Sequence, residues 1–96
     1  MCGITGIFNI DGKPVSINTI KKMTDIIRHR GPDGEGFWVD SFIGFGHRRL
    51  AIIDLSPLGH QPMQNDDGSL IITYNGEIYN FINLRVELIS KGYKFI

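Results

Sequence analysis

The chain has 96 residues, is 42% hydrophobic and carries a formal net charge of zero. That length and composition fit one globular domain, and a neutral chain offers no global field for nucleic acid or an anionic membrane. A single cysteine excludes an internal disulfide, and three scattered histidines (His29, His47, His60) lack metal-ligand spacing.

Residues 3–9 alternate well enough for a short strand, and Asp11-Gly12 supplies a turn after it. Ser16 is a fair N-cap for a helix with Ile17, Ile20, Met23, Ile26 and Ile27 on one apolar stripe. The helix should stop near Arg28-His29-Arg30, because Gly31-Pro32-Asp33-Gly34 cannot continue it. Two strands are expected next, over 36–39 and 42–53, then a long polar loop over 54–67. Residues 69–74 form a strong β run, with Asn75-Gly76 as its turn. Asn80 can cap a second helix over 81–90, with Gly92 as the C′ residue. Tyr93-Lys94-Phe95-Ile96 reads as the opening of another strand, so the chain is expected to be the front part of a larger domain.

The N-terminus has no basic region before its apolar start, which glycines interrupt, so it does not read as a signal peptide. No run approaches the roughly 18 apolar residues of a membrane span. A cytoplasmic chain is expected, with neither membrane nor nucleic acid as a partner.

Cys2 stands directly behind Met1, and a small residue at position two lets an aminopeptidase leave cysteine as the mature N-terminus. One residue would then carry a thiol and an α-amine, groups that ordinarily titrate within about one unit of each other. The amine can act as the general base that activates the thiol, with no separate histidine. The plain alternative is a small apolar side chain at the start of a strand.

Four segments bear on that choice. They are Cys2-Gly3-Ile4-Thr5-Gly6, Arg28-His29-Arg30-Gly31-Pro32-Asp33, His47-Arg48-Arg49-Leu50-Ala51-Ile52-Ile53-Asp54 and Tyr74-Asn75-Gly76-Glu77-Ile78-Tyr79-Asn80. In this order and spacing they resemble the glutaminase domain of glutamine-hydrolysing asparagine synthetases. These are class II glutamine amidotransferases of the N-terminal nucleophile hydrolase type, and the resemblance covers essentially the whole chain.

The resemblance implies an α+β fold, the αββα sandwich of those hydrolases, with residues 1–96 as roughly its first half. It implies that Cys2 attacks the side-chain amide of L-glutamine, releasing ammonia for ATP-dependent amidation of aspartate in a downstream synthetase domain. Asn75 and Gly76 would supply the oxyanion hole, and Arg49 would clamp the substrate α-carboxylate. Leu50, Ala51, Ile52, Ile53, Asn75, Gly76 and Glu77 would line the rest of the glutamine pocket. No metal or cofactor is implied for this portion, while ATP and Mg2+ are expected in the missing synthetase domain. A homo-oligomer is compatible with that reading. The fragment is expected to be inactive alone, since a further carboxylate for the substrate α-amino group lies beyond residue 96 in the family.

Read without the resemblance, Asn75-Gly76 is also an ordinary type I′ hairpin turn, and Arg48-Arg49 also a solvated pair at a strand end. Alternating side chains allow only one of those arginines into a pocket. Two other functions stay open. One is amidation of another carboxylate, such as a sugar acid; the other is a catalytically silent binding module with the same fold.

Overall fold

A computed structural model describes residues 2–51 and 59–95. The fold is α+β, with antiparallel sheets. In chain order it contains β1 (Gly3–Phe8), α1 (Ile17–Ile26), a 3₁₀ turn (Arg28–Arg30), β2 (Gly34–Asp40), β3 (Ile43–Arg49), β4 (Met63–Gln64), β5 (Ile71–Ile72) and α2 (Phe81–Ser90). The main sheet has the order β1-β3-β2, and β4 pairs with β5 in a second, two-stranded sheet. Among the described residues, no helix is long and apolar enough to cross a membrane.

β2 and β3 form a hairpin in which Asp40 pairs with Ile43 across Ser41-Phe42. Ser41 takes the left-handed conformation such a tight connection needs, with φ 53°. Trp38 and Phe45 stack across this hairpin at 5.5 Å, and Phe8 meets Phe42 edge-on at 5.6 Å. Strand parity then sorts β3 into two faces. Gly44, Gly46 and Arg48 point one way, Phe45, His47 and Arg49 the other.

Helix α1 covers the first face. Gly44 and Gly46 lack side chains where Val15, Ile20 and Thr24 press onto the sheet. Ile20 and Thr24 are fully buried, whereas Ile17 and Ile26 are exposed, so the inward stripe runs Ile20, Thr24, Ile27. This corrects the stripe of Ile17, Ile20, Met23, Ile26 and Ile27 expected from sequence, of which Ile17 and Ile26 face outward. The buried threonine is tolerated because its hydroxyl donates to the Ile20 carbonyl at 2.7 Å and meets the Thr5 hydroxyl at 2.9 Å.

Other expectations need adjustment. Ser16 and Asn80 occupy the N-cap positions, but neither side chain makes a capping bond. β2 begins at Gly34 and β3 ends at Arg49, while Ile52 and Ile53 lie outside the described residues. The loop expected over 54–67 contains β4, and the run 69–74 shortens to Ile71–Ile72, which pair with β4. Asn75-Gly76 is not a type I′ turn: neither residue has the positive φ that turn requires. Residues 93–95 form no strand, having no ladder partner among the described residues. Gly92 does close α2, with φ 94° and paired bonds from Gly92 N–H to Ile89 and Tyr93 N–H to Leu88. α2 itself has no buried residue and exposes Phe81, Ile82, Val86 and Ile89.

Candidate active site

The Arg-Gly-Pro-Asp-Gly segment after α1 locks onto the end of β3. Gly31 lies so close to the Arg48 backbone that a Cβ there would overlap the Arg48 carbonyl, leaving only glycine compatible. Pro32 bridges to Arg49, the Asp33 N–H donates to the Arg49 carbonyl at 2.9 Å, and the Asp33 carboxylate accepts the Ala51 N–H at 2.9 Å. Residues 50–51 are therefore held beyond the point where the sheet ladder stops. Their fixed position matters, because the Leu50 N–H donates to Cys2 Sγ at 3.3 Å. The thiol itself lies 3.8 Å from the Leu50 carbonyl, and the Cys2 carbonyl accepts from Arg30 Nε at 3.3 Å. Cys2 is half-buried and forms no disulfide.

A cleft of about 550 Å³ opens at this thiol. Of the residues expected at a glutamine site, Cys2, Arg49, Leu50, Ala51, Asn75, Gly76 and Glu77 all line it. Ile52 and Ile53 lie outside the described residues. His47, Gln61 and Tyr74 also contribute walls that the sequence reading did not assign to the site. His47 was recoverable in principle, because it stands two residues before Arg49 and shares its strand face. Gln61 was not, since it lies in a loop with no periodic signal.

The two arginines go to opposite sides. Arg48 is 5% exposed and bonds to the Gly31 carbonyl at 3.0 Å and to Glu35 Oε2 at 2.7 Å. It is not a solvated strand-end residue. Arg49 turns into the cleft, where its guanidinium runs against Gly59.

His47 is 1% exposed, and its Nε2 meets the Tyr74 carbonyl at 3.2 Å. A carbonyl only accepts, so Nε2 carries the proton. Burial pushes its pKa below the ordinary 6.5; the Tyr74 bond opposes that shift, and the charges of His60 and Arg49 add to it. The unfolded chain therefore binds a proton at higher pH than the folded one does. Stability from this group is present above about pH 6.5 and falls as the pH drops towards the lowered value. Thermal melts of the intact protein between neutral and mildly acidic pH should show this loss, and His47→Gln should reduce it.

A thiol, a guanidinium and an Asn-Gly pair thus line one cleft. The chain belongs to the glutamine amidotransferase domain family, whose sequence profile matches residues 1–96. It is 47% identical over 98 residues to "Asparagine synthetase [glutamine-hydrolyzing] 1" of Bacillus subtilis, covering 99% of this chain and 15% of that protein. It is 47% identical over 103 residues to "Putative asparagine synthetase [glutamine-hydrolyzing] 2" of Methanocaldococcus jannaschii, covering 88% of this chain and 20% of that one. A relative with another name, "Amidase chry2" of Gibberella zeae, is 36% identical over 109 residues, covering 100% of this chain and 16% of its own. The chain thus spans only a small part of the length of these relatives.

Proposed function

We propose that this chain is part of the glutaminase unit of a glutamine-dependent asparagine synthetase, residues 1–96 being the N-terminal part of its amidotransferase domain. The observation that carries the reading is the cleft shared by Cys2, Arg49, Asn75 and Gly76. The αββα sandwich belongs to the same proposal, as do a downstream synthetase domain and a cytoplasmic location. Among the described residues, no cluster of three His, Cys, Asp or Glu side chains is arranged to hold a metal. ATP and Mg2+ belong, in this proposal, to the synthetase domain.

Removal of Met1 frees the Cys2 α-amine, which takes the thiol proton as the sulphur attacks the side-chain carbonyl carbon of L-glutamine. The carbonyl π electrons move to oxygen, where the Asn75 side-chain amide and the Gly76 N–H receive the negative charge. Collapse breaks the C–N bond, and the ammonium formed on the α-amine protonates the leaving nitrogen. Ammonia departs and a γ-glutamyl thioester remains. Water then adds to the thioester, releasing glutamate and restoring the thiol. The Leu50 N–H, directed at Sγ, keeps the sulphur in place between these steps. Arg49 takes the substrate α-carboxylate through paired charged hydrogen bonds.

The alternative acceptor stays attached to this reading: the cleft deals with ammonia release, and the acceptor site is assigned elsewhere. Supplying the intact protein with glutamine, ATP and either aspartate or a sugar acid, then identifying the amidated product, tests the acceptor directly. Asparagine is the expected product, and amidation of only the sugar acid would overturn it.

A second test concerns the two arginines. Arg49→Ala should raise the glutamine KM tenfold to hundredfold, since a charge-assisted hydrogen bond is worth about 1.5–3 kcal/mol. Arg48→Ala should instead lower the melting temperature, because it strips the Gly31 carbonyl and Glu35 of a buried donor. Steady-state kinetics and thermal melts of both variants check this; equal KM effects would contradict the assignment.

A further inference from the structure

β5 ends at Ile72, and among the described residues no ladder holds the backbone of residues 73–75. The backbone groups of Tyr74 are nevertheless both paired, each with a side chain. The carbonyl meets His47 Nε2 at 3.2 Å, and the N–H donates to Gln61 Oε1 at 2.6 Å. The two side chains come from different elements and share a support. His47 pairs across the sheet with Gly36, and the missing Gly36 side chain leaves room for the Gln61 backbone. The Tyr74 ring then reaches over the next residues. Its hydroxyl donates to the Glu77 carbonyl at 3.1 Å, and a Cβ at Gly76 would lie 2.7 Å from that hydroxyl oxygen.

We propose that His47 and Gln61 are positioning residues that hold the Tyr74 peptide from both sides and thereby fix the Asn75 and Gly76 donors in the cleft. The inference rests on the oxyanion role given above to Asn75 and Gly76. A donor must be placed to within about 0.5 Å to act on a developing charge, and a pair of side-chain bonds replaces the rigidity a strand would supply. A neutral histidine suits this role, because its Nε2–H meets a carbonyl without bringing a buried charge beside Arg49.

The test is glutamine hydrolysis by the intact protein. His47→Phe fills the volume without a donor, and Gln61→Leu removes the acceptor. Each should lower kcat about 10- to 100-fold and leave KM within about threefold, since displaced donors cost only the transition state. His47→Gln and Gln61→Glu restore a donor and an acceptor respectively, and should recover most of kcat. The double variant His47→Phe/Gln61→Leu should lose less than the product of the single losses, because both hold one peptide. On an Asn75→Ala background either substitution should cost less than it does alone, because only the Gly76 donor is left to displace. Unchanged kcat, an effect confined to KM, or conservative variants no better than the disruptive ones would overturn the proposal. If His47→Phe fails to fold, the Gln61 pair decides. If Asn75→Ala itself leaves kcat intact, the oxyanion reading fails. If Asn75→Ala lowers kcat while His47→Phe and Gln61→Leu do not, only the positioning role fails.

Discussion

Cys2→Ala is expected to abolish glutamine-dependent product formation while leaving activity with free ammonia. The substitution removes the sulphur that forms the acyl bond but little volume, and the half-buried site needs little repacking. The Leu50 N–H loses its sulphur acceptor at the cleft, a place open to water, so the fold should survive. Ammonia supplied directly bypasses the only step the thiol performs. Parallel assays with glutamine and with an ammonium salt check this. Turnover with glutamine in a Cys2→Ala preparation would show that the nucleophile lies elsewhere.

Asn75→Ala should lower kcat for glutamine hydrolysis by roughly 10²–10³ with little change in KM. The negative oxygen exists only near the transition state, and losing one preorganised donor typically costs about 2.7–4 kcal/mol there. The backbone course of residues 74–76 supports this split of effects. Neither residue of the Asn-Gly pair takes turn geometry with positive φ, and the loop is braced through Tyr74 instead. Replacing the Asn75 side chain should therefore leave the loop in place. A change mainly in KM would make Asn75 a contact to bound glutamine.

Where a segment's structure followed from its own residues, it could be read directly. The end of the helical stretch at Arg30 follows from the Gly31-Pro32 pair, and the end of α2 follows from Gly92, whose left-handed φ any side chain would resist. Strand alternation foretold that Arg48 and Arg49 must part. Which of them turns inward came instead from partners distant in sequence: Gly31 and Glu35 take Arg48 to the α1 face. Misreadings share one cause, which is pairing that no local pattern records. Among the described residues β5 pairs with β4 alone, through Ile71 and Ile72, although residues 69–74 have the composition of a longer strand. Thr24 joins Ile20 in the α1 core while Ile17 and Ile26 stay exposed, because a hydroxyl partner, Thr5, awaited it across the interface. The cleft residues named from the motifs gather in space, but the braces behind them do not announce themselves. Gln61 acts on a backbone N–H thirteen positions away, and such a bond leaves no trace in composition or period.

The central claim is that glutamine passes through an acyl bond to Cys2, and the mass of the acid-quenched intact protein tests it most directly. After brief mixing with glutamine, one γ-glutamyl group should appear on the N-terminal peptide beginning at Cys2, Met1 having been removed. Hydroxylamine should discharge it as γ-glutamyl hydroxamate, its nitrogen taking the acyl carbon from sulphur and returning the thiol. A glutamyl group on any other residue, or ammonia release from a protein that still carries Met1, would contradict the account.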